Sequence, residues 1–229
     1  SVELALAEKG VWVYGYDTFE PLIWFWRALL GSPDALANEA DSLRKYKDYY
    51  YGYRGLPKED FNLIKEELRN EEKYSLQNAA KFYALNRSSF SGATLSGGWS
   101  KRASYERFTD SSITRVREFS QPKLYVAAQH FKHSISAHPK TFLYLDPPYL
   151  LGKDRENLYG DAGNKHKGFD HAGLVNILKE RDNWILSYNN CPEILKLYEG
   201  YDIIYPDWKY GMSTDKASKE VLIINKGKK

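Results

Sequence analysis

The chain has 229 residues, with 33 Lys and Arg against 30 Asp and Glu, and its net charge of +3 excludes a global field that gathers polyanions; any such contact must come from local basic patches. One cysteine, Cys191, excludes an internal disulfide framework and fits a reducing cytoplasm, and no apolar run approaches the ~20 residues of a membrane span. The length allows one large domain or a core domain with an insertion, and 19 Tyr and 6 Trp supply stacking surface as well as core.

Val2 to Ala7 reads as a helix ended at Gly10, and Val11 to Tyr16 as a strand closed by Asp17. Pro21 to Leu30 is a strongly apolar helix stopped at Gly31. Ser32-Pro33-Asp34 starts the next, amphipathic to about Lys47. Tyr49 to Gly55 is aromatic, basic and glycine-containing, which predicts a loop. Helices are expected near Lys58–Asn70 and Glu71–Leu85. Asn86 to Phe108, rich in Ser and Gly, predicts a hairpin or exposed loops, and Ile113 to Phe119 a helix or a strand. Val126 to Ser136 carries a strand-to-helix passage, and Phe142 to Leu145 is a short buried strand. Leu150 to Gly168 is polar and aperiodic, a long loop of the kind usually kept for function. A helix from Phe169 to about Glu180, a strand over Trp184–Asn189 and a helix from Cys191 to Gly200 follow. Tyr201–Tyr205 and Lys219–Asn225 close the chain as antiparallel strands. Strand and helix alternate at both ends around an irregular aromatic and basic block, which predicts an α/β core interrupted by a recognition insertion.

The sharpest local feature is Asp146-Pro147-Pro148-Tyr149 after the apolar run Thr141–Leu145. Two prolines cannot continue a strand, so the chain turns, with a carboxylate and an aromatic ring at the strand's carboxyl end. In open α/β sheets ligands bind there. An ordinary strand-ending turn uses the same residue types.

Asp146 to Tyr149 resembles the catalytic motif of amino-methylating DNA methyltransferases. Several further segments, in order, are similar to the Dam-like (class α) adenine-N6 DNA methyltransferases. Ser1-Val2-Glu3-Leu4 resembles the continuation of that family's Phe-x-Gly-x-Gly-Ser cofactor loop. Tyr16-Asp17-Thr18-Phe19-Glu20-Pro21-Leu22-Ile23 resembles its second motif, Asn86-Arg87-Ser88-Ser89-Phe90-Ser91-Gly92 its target-recognition signature, and Phe169-Asp170-His171-x-x-Leu174, Leu186-Ser187-Tyr188-Asn189 and Lys219–Asn225 its downstream elements.

The resemblance implies an α/β fold: a Rossmann-like S-adenosylmethionine-dependent methyltransferase sheet, with residues 1–35 and 110–229 as catalytic domain and 36–109 as a helical and hairpin target-recognition domain. It implies S-adenosylmethionine as methyl donor, double-stranded DNA as substrate, no metal, and a cytoplasmic, nucleoid-associated setting in a bacterial or phage-infected cell. Asp146 and the Pro147 carbonyl would accept hydrogen bonds from the target amino group, with Pro148 shaping the turn. Tyr149 would stack on the flipped base; flipping costs a few kcal/mol and stacking returns ~1–3. Donor contacts fall on Ser1, Asp17, Thr18, His130, Phe131 and Asp146. Asp17 suits the ribose hydroxyls, with an N-cap before Pro21 as the lesser alternative. His130 stands where the family carries Asp. DNA contacts fall on Arg87, Ser89, Phe90, Ser91, Lys101, Arg102, Arg115 and Asn189, with the Tyr49–Arg54 block, Arg107, Arg117, Thr94 and Ser96 as further candidates.

Ala93-Thr94-Leu95-Ser96-Gly97-Gly98 lacks the family's guanine-reading Arg, so a GATC target does not carry over. The family's glycine loop would lie upstream of Ser1. Roughly 35 further residues, estimated from a helix–strand–loop unit, or a second polypeptide would supply it. Rival readings are a methyltransferase for RNA adenine, cytosine-N4 or protein glutamine, and a non-catalytic DNA-binding module of the same fold.

Overall fold

The structure, a computed structural model, describes residues 2–46, 52, 54–150, 168–207 and 220–226. The described residues form a mixed α/β chain that divides into two compact units, one up to His130 and one from Phe131.

In the first unit α1 (Val2–Glu8) precedes β1 (Val13–Asp17), and α2 (Glu20–Gly31) starts with Pro21 in its first turn, where a missing N–H costs nothing. Leu36, Ala37 and Ala40 bury one face of α3 (Pro33–Ser42). This helix ends five residues before the expected Lys47, because Lys45–Tyr46 (β2) leaves it to pair antiparallel with Arg54–Gly55 (β3). Residues 47–51 and 53 of the expected Tyr-rich loop lie outside the described residues.

Phe61, Ile64 and Leu68 form the apolar stripe of α4 (Lys58–Arg69). α5 (Leu76–Ser88) begins five residues later than the expected Glu71. Glu71 Oε1 accepts the Glu72 and Lys73 amides at 3.0 Å in a local turn, and Ser75 caps the helix by accepting the Asn78 N–H at 3.0 Å. Ala79, Ala80, Phe82, Ala84 and Leu85 are all buried, so α5 is the inner helix against which α2, α3, α4 and α6 (Lys101–Glu106) pack. The 113–119 alternative resolves as helix α7 (Asp110–Arg117).

β4 (Leu124–Ala128) lies parallel to β1 from Val13↔Leu124 to Asp17↔Ala128, so the carboxyl ends of the two strands coincide. Gly55 sits where a Cβ would come within 2.6 Å of the Ser104 carbonyl oxygen and 2.8 Å of its hydroxyl. Gly55→Ala is expected to cost about 1–3 kcal/mol through overpacking, read as a lowered urea midpoint. An unchanged midpoint would contradict so close an approach.

The second unit holds α8 (Phe131–Ala137), β5 (Leu143–Leu145), α9 (His171–Lys179), β6 (Trp184–Asn189), α10 (Pro192–Leu197), β7 (Asp202–Ile204) and β8 (Glu220–Asn225). Its sheet runs β5-β6-β8-β7, with β5 and β6 parallel and the other pairs antiparallel, as expected for the last two strands. Trp184, Leu186, Tyr188, Val221 and Ile223 bury one sheet face against Leu174, Leu178, Ile194 and Tyr198. The described strands form three sheets: β1-β4, β2-β3 and this four-stranded one.

Candidate active site

Asp146 follows directly on β5 and is exposed; Pro147, Pro148 and Tyr149 behind it are half-buried. The parallel β5–β6 ladder stops at Leu145↔Leu186, and neither proline has an N–H with which to prolong it. Tyr149 is tied down instead by its side chain. Its hydroxyl donates to Glu220 Oε1 at 3.0 Å and lies 3.2 Å from Ser187 Oγ. Burial pushes the phenol's pKa far up, the Ser187 hydrogen bond opposes this, and the negative charges of Asp146 and Glu220 add to it. Tyr149 is therefore a neutral ring at any physiological pH. It tilts against Tyr188 with centroids 6.0 Å apart, and the Tyr188 hydroxyl meets His171 Nδ1. The loop expected after the motif falls at residues 151–167, outside the described residues.

In the first unit the shared ends of β1 and β4 bring Asp17, Thr18 and His130 to one edge. The Gln129 N–H donates to the Asp17 carbonyl at 3.0 Å. Asp17 Oδ1 accepts the Phe19 N–H at 2.8 Å, so its carboxylate shapes the turn into α2, although Phe19 itself occupies the cap position. A cavity of about 220 Å³ beside it is walled by Gly15, Tyr16, Asp17, Leu22 and Trp26. Phe131, expected to pack on a nucleoside, has its ring 5.1 Å from that of Phe169. Ser1 lies outside the described residues.

Of the hairpin or exposed loops expected over 86–108, the hairpin is corrected. α5 runs through Ser88, two 3-10 turns (Phe90–Gly92 and Thr94–Ser96) follow, and the only strand-like contact here among the described residues is a Ser89↔Trp99 bridge. The Ser-Gly composition serves a tight turn, with positive φ at Ser91, Gly92 and Thr94. Lys65 of α4 donates to the Gly97 carbonyl at 2.5 Å, Arg69 to that of Leu95 at 3.1 Å, and Asn86 to that of Gly92 at 3.2 Å.

Phe90 stands at the tip of this braced turn, 72% exposed, beside exposed Ser91. Other expected DNA contacts are turned inward. Ser89 is fully buried and accepts the Thr94 N–H at 3.0 Å. Arg87 donates through Nε and Nη2 to the Arg107 carbonyl at 3.0 and 2.7 Å, and Arg107 in turn to the Ser89 carbonyl. Asn189 has both ends of its amide on Leu150. Lys101 and Arg115 are exposed on α6 and α7, as is Arg102, which pairs with Glu106 at 2.7 Å.

The family model for D12 class N6 adenine-specific DNA methyltransferases matches residues 1–212. The chain belongs to that family. It is a DNA adenine-N6 methyltransferase. No curated protein matches the chain.

For an adenine methyltransferase the informative residues that sequence reasoning missed are Ser187 and Glu220, which hold Tyr149, and Lys65 and Arg69, which brace the 90–97 turn. Ser187 and Asn189 share a face of β6 by strand alternation, a signal present in the sequence. Glu220 and the α4 cations act across 71 and 26–32 residues of chain, beyond any local pattern. Among the described residues no group of three or more His, Cys, Asp or Glu gathers to hold a metal, and no helix is long and apolar enough to cross a membrane.

Proposed function

We propose that this methyltransferase moves the methyl group of S-adenosylmethionine to the N6 atom of an adenine turned out of duplex DNA, at Asp146–Tyr149. The observation that carries this reading is an exposed carboxylate at the carboxyl end of β5, followed by a neutral aromatic ring fixed by Ser187 and Glu220. Asp146 and the Pro147 carbonyl accept the two N6 hydrogens, drawing the nitrogen toward tetrahedral geometry and freeing its lone pair. The carboxylate then takes the proton released on transfer. Orientation and charge stabilisation carry the rate, without metal or covalent intermediate.

The donor supplies an electrophilic methyl group on a sulfonium. The Asp17 edge fits its nucleoside half: a carboxylate for ribose hydroxyls borders a cavity with aromatic and aliphatic walls. Parallel pairing of β1 with β4 and of β5 with β6, flanked by helices, favours a Rossmann-like catalytic fold over residues 1–35 and 110–229. Residues 36–109 would then carry target recognition. Incubation with duplex DNA and labelled donor should yield N6-methyladenine by mass spectrometry. N4-methylcytosine alone, or no product, would overturn the reading.

Phe90 is the most exposed ring among the described residues and is offered, apart from Tyr149, to stack on a base. Phe90→Ala is expected to weaken duplex binding by about 1–3 kcal/mol, measured by fluorescence anisotropy, with an unchanged melting temperature because the ring buries little in the protein. Unchanged affinity would remove Phe90 from the DNA interface.

A further inference from the structure

Three polar side chains on one face of the second sheet converge on the two residues that leave the catalytic motif. Ser187 and Asn189 are two apart on β6 and so point the same way, and Glu220 lies directly opposite Asn189 across the β6–β8 ladder. Asn189 Oδ1 accepts the Leu150 N–H at 3.0 Å, and Asn189 Nδ2 donates to the Leu150 carbonyl at 2.8 Å. The side-chain amide thus stands in for a peptide group of a neighbouring strand. It captures both main-chain polar atoms of the residue after Tyr149, just past the two prolines that ended the ladder. Glu220 and Ser187 meanwhile take the Tyr149 hydroxyl at 3.0 and 3.2 Å.

We infer that Asn189, Glu220 and Ser187 are positioning residues for methyl transfer, a clamp on Tyr149 and Leu150 that fixes where the Asp146–Tyr149 turn presents its acceptors and its ring. The physical need is plain. A turn containing two prolines lacks two of the N–H donors that could bind it to the sheet. Without an anchor at its exit, the Pro147 carbonyl and the Tyr149 ring could each shift by an ångström. Displacement on that scale costs an in-line reaction about a hundredfold. The clamp also explains a tyrosine at the fourth motif position. A phenylalanine stacks as well, but offers nothing to Glu220 and Ser187.

This inference rests on the site assignment proposed above, and two separate readouts keep the two apart. The first needs no catalysis: amide hydrogen exchange of the Leu150 N–H in the full chain without DNA. Asn189→Ala should expose that amide and raise its exchange at least tenfold, whereas Glu220→Gln, which keeps an acceptor oxygen, should leave it near wild type. The second is steady-state methylation. Asn189→Ala should lower kcat by about a hundredfold with KM for DNA and donor within about twofold, the signature of lost positioning rather than lost binding.

Tyr149→Phe and Glu220→Ala should each lower kcat, and the double variant no further than the worse single, because they break the same hydrogen bond. Glu220→Gln should recover most of the rate. If Asn189→Ala does not fold, Tyr149→Phe, which removes one oxygen atom, decides the matter by the same kcat measurement. Unchanged Leu150 exchange in Asn189→Ala, or a kcat loss that is additive across Tyr149→Phe and Glu220→Ala, would overturn the clamp. A wild-type chain that makes no N6-methyladenine would overturn the site assignment while the exchange result still decides whether the clamp exists.

Discussion

Replacing Asp146 by alanine is expected to reduce methyl transfer by about 10²–10³-fold, the usual cost of removing one group aimed at charge that develops in a transition state. The fold should not pay for it. Asp146 is exposed, lies after the last residue of β5, and takes no part in either hydrophobic core. Urea midpoint and melting temperature should therefore stay within error while kcat falls, and the KM for DNA should move little because Phe90 and the basic side chains are untouched. Asp146→Asn should fall between the two: it keeps an acceptor oxygen for the adenine amino group but has no charge with which to take the proton. Labelled-donor transfer under single-turnover conditions reads both variants. An alanine variant that keeps more than a tenth of the wild-type rate would move the chemistry away from this carboxylate.

The Asp146–Tyr149 turn was legible in the sequence because its information is local. Two adjacent prolines forbid strand pairing wherever they occur, so Asp146 had to lie at a strand end whatever lay around it. Helix α4 was legible for the same kind of reason, since Phe61, Ile64 and Leu68 repeat at helical spacing within twelve residues. The failures are non-local. Ser and Gly over 86–108 suit an exposed hairpin and a tight 3-10 turn equally well. What selects the turn is Lys65 and Arg69 reaching from another helix to the Gly97 and Leu95 carbonyls. Arg87 and Asn189 carry the composition of DNA contacts, yet their partners are carbonyl and amide groups that only the folded chain brings within reach. Glu220 could be assigned to Tyr149 only once the register of β8 on β6 was known. A residue type announces what a side chain can bind, and tertiary packing decides whether the protein itself already occupies it.

Asp41→Ala is expected to be the most destabilising single charge deletion in the first unit, at about 3 kcal/mol. The reason is Arg44, whose side chain is only 3% exposed, with its Nη1 2.7 Å from Asp41 Oδ1 and 2.6 Å from Asp110 Oδ1. Asp41 also takes Arg54 of β3 at 3.1 Å, so one carboxylate joins the end of α3 to the first residue of that strand. Removing it leaves the enclosed Arg44 cation balanced by Asp110 alone, at 2.6 Å but on a side chain that is 86% exposed and so screened by water. The buried Arg44 Nε already lacks a partner, so the guanidinium has no reserve of hydrogen bonds to draw on. For a chain of this size the loss should appear as a melting temperature lower by about 6–12 °C.

The decisive comparison is Arg44→Met, which removes the buried charge rather than its counter-ion. Methionine fills similar space beside the Phe108 ring, and Asp41 keeps its pair with Arg54. That variant is expected to lie within about 1 kcal/mol of wild type, because exchanging a buried ion for an apolar side chain of similar volume is often neutral. Equal losses in Asp41→Ala and Arg44→Met would mean that the ion pair itself, rather than a buried cation left with one exposed partner, sets the cost.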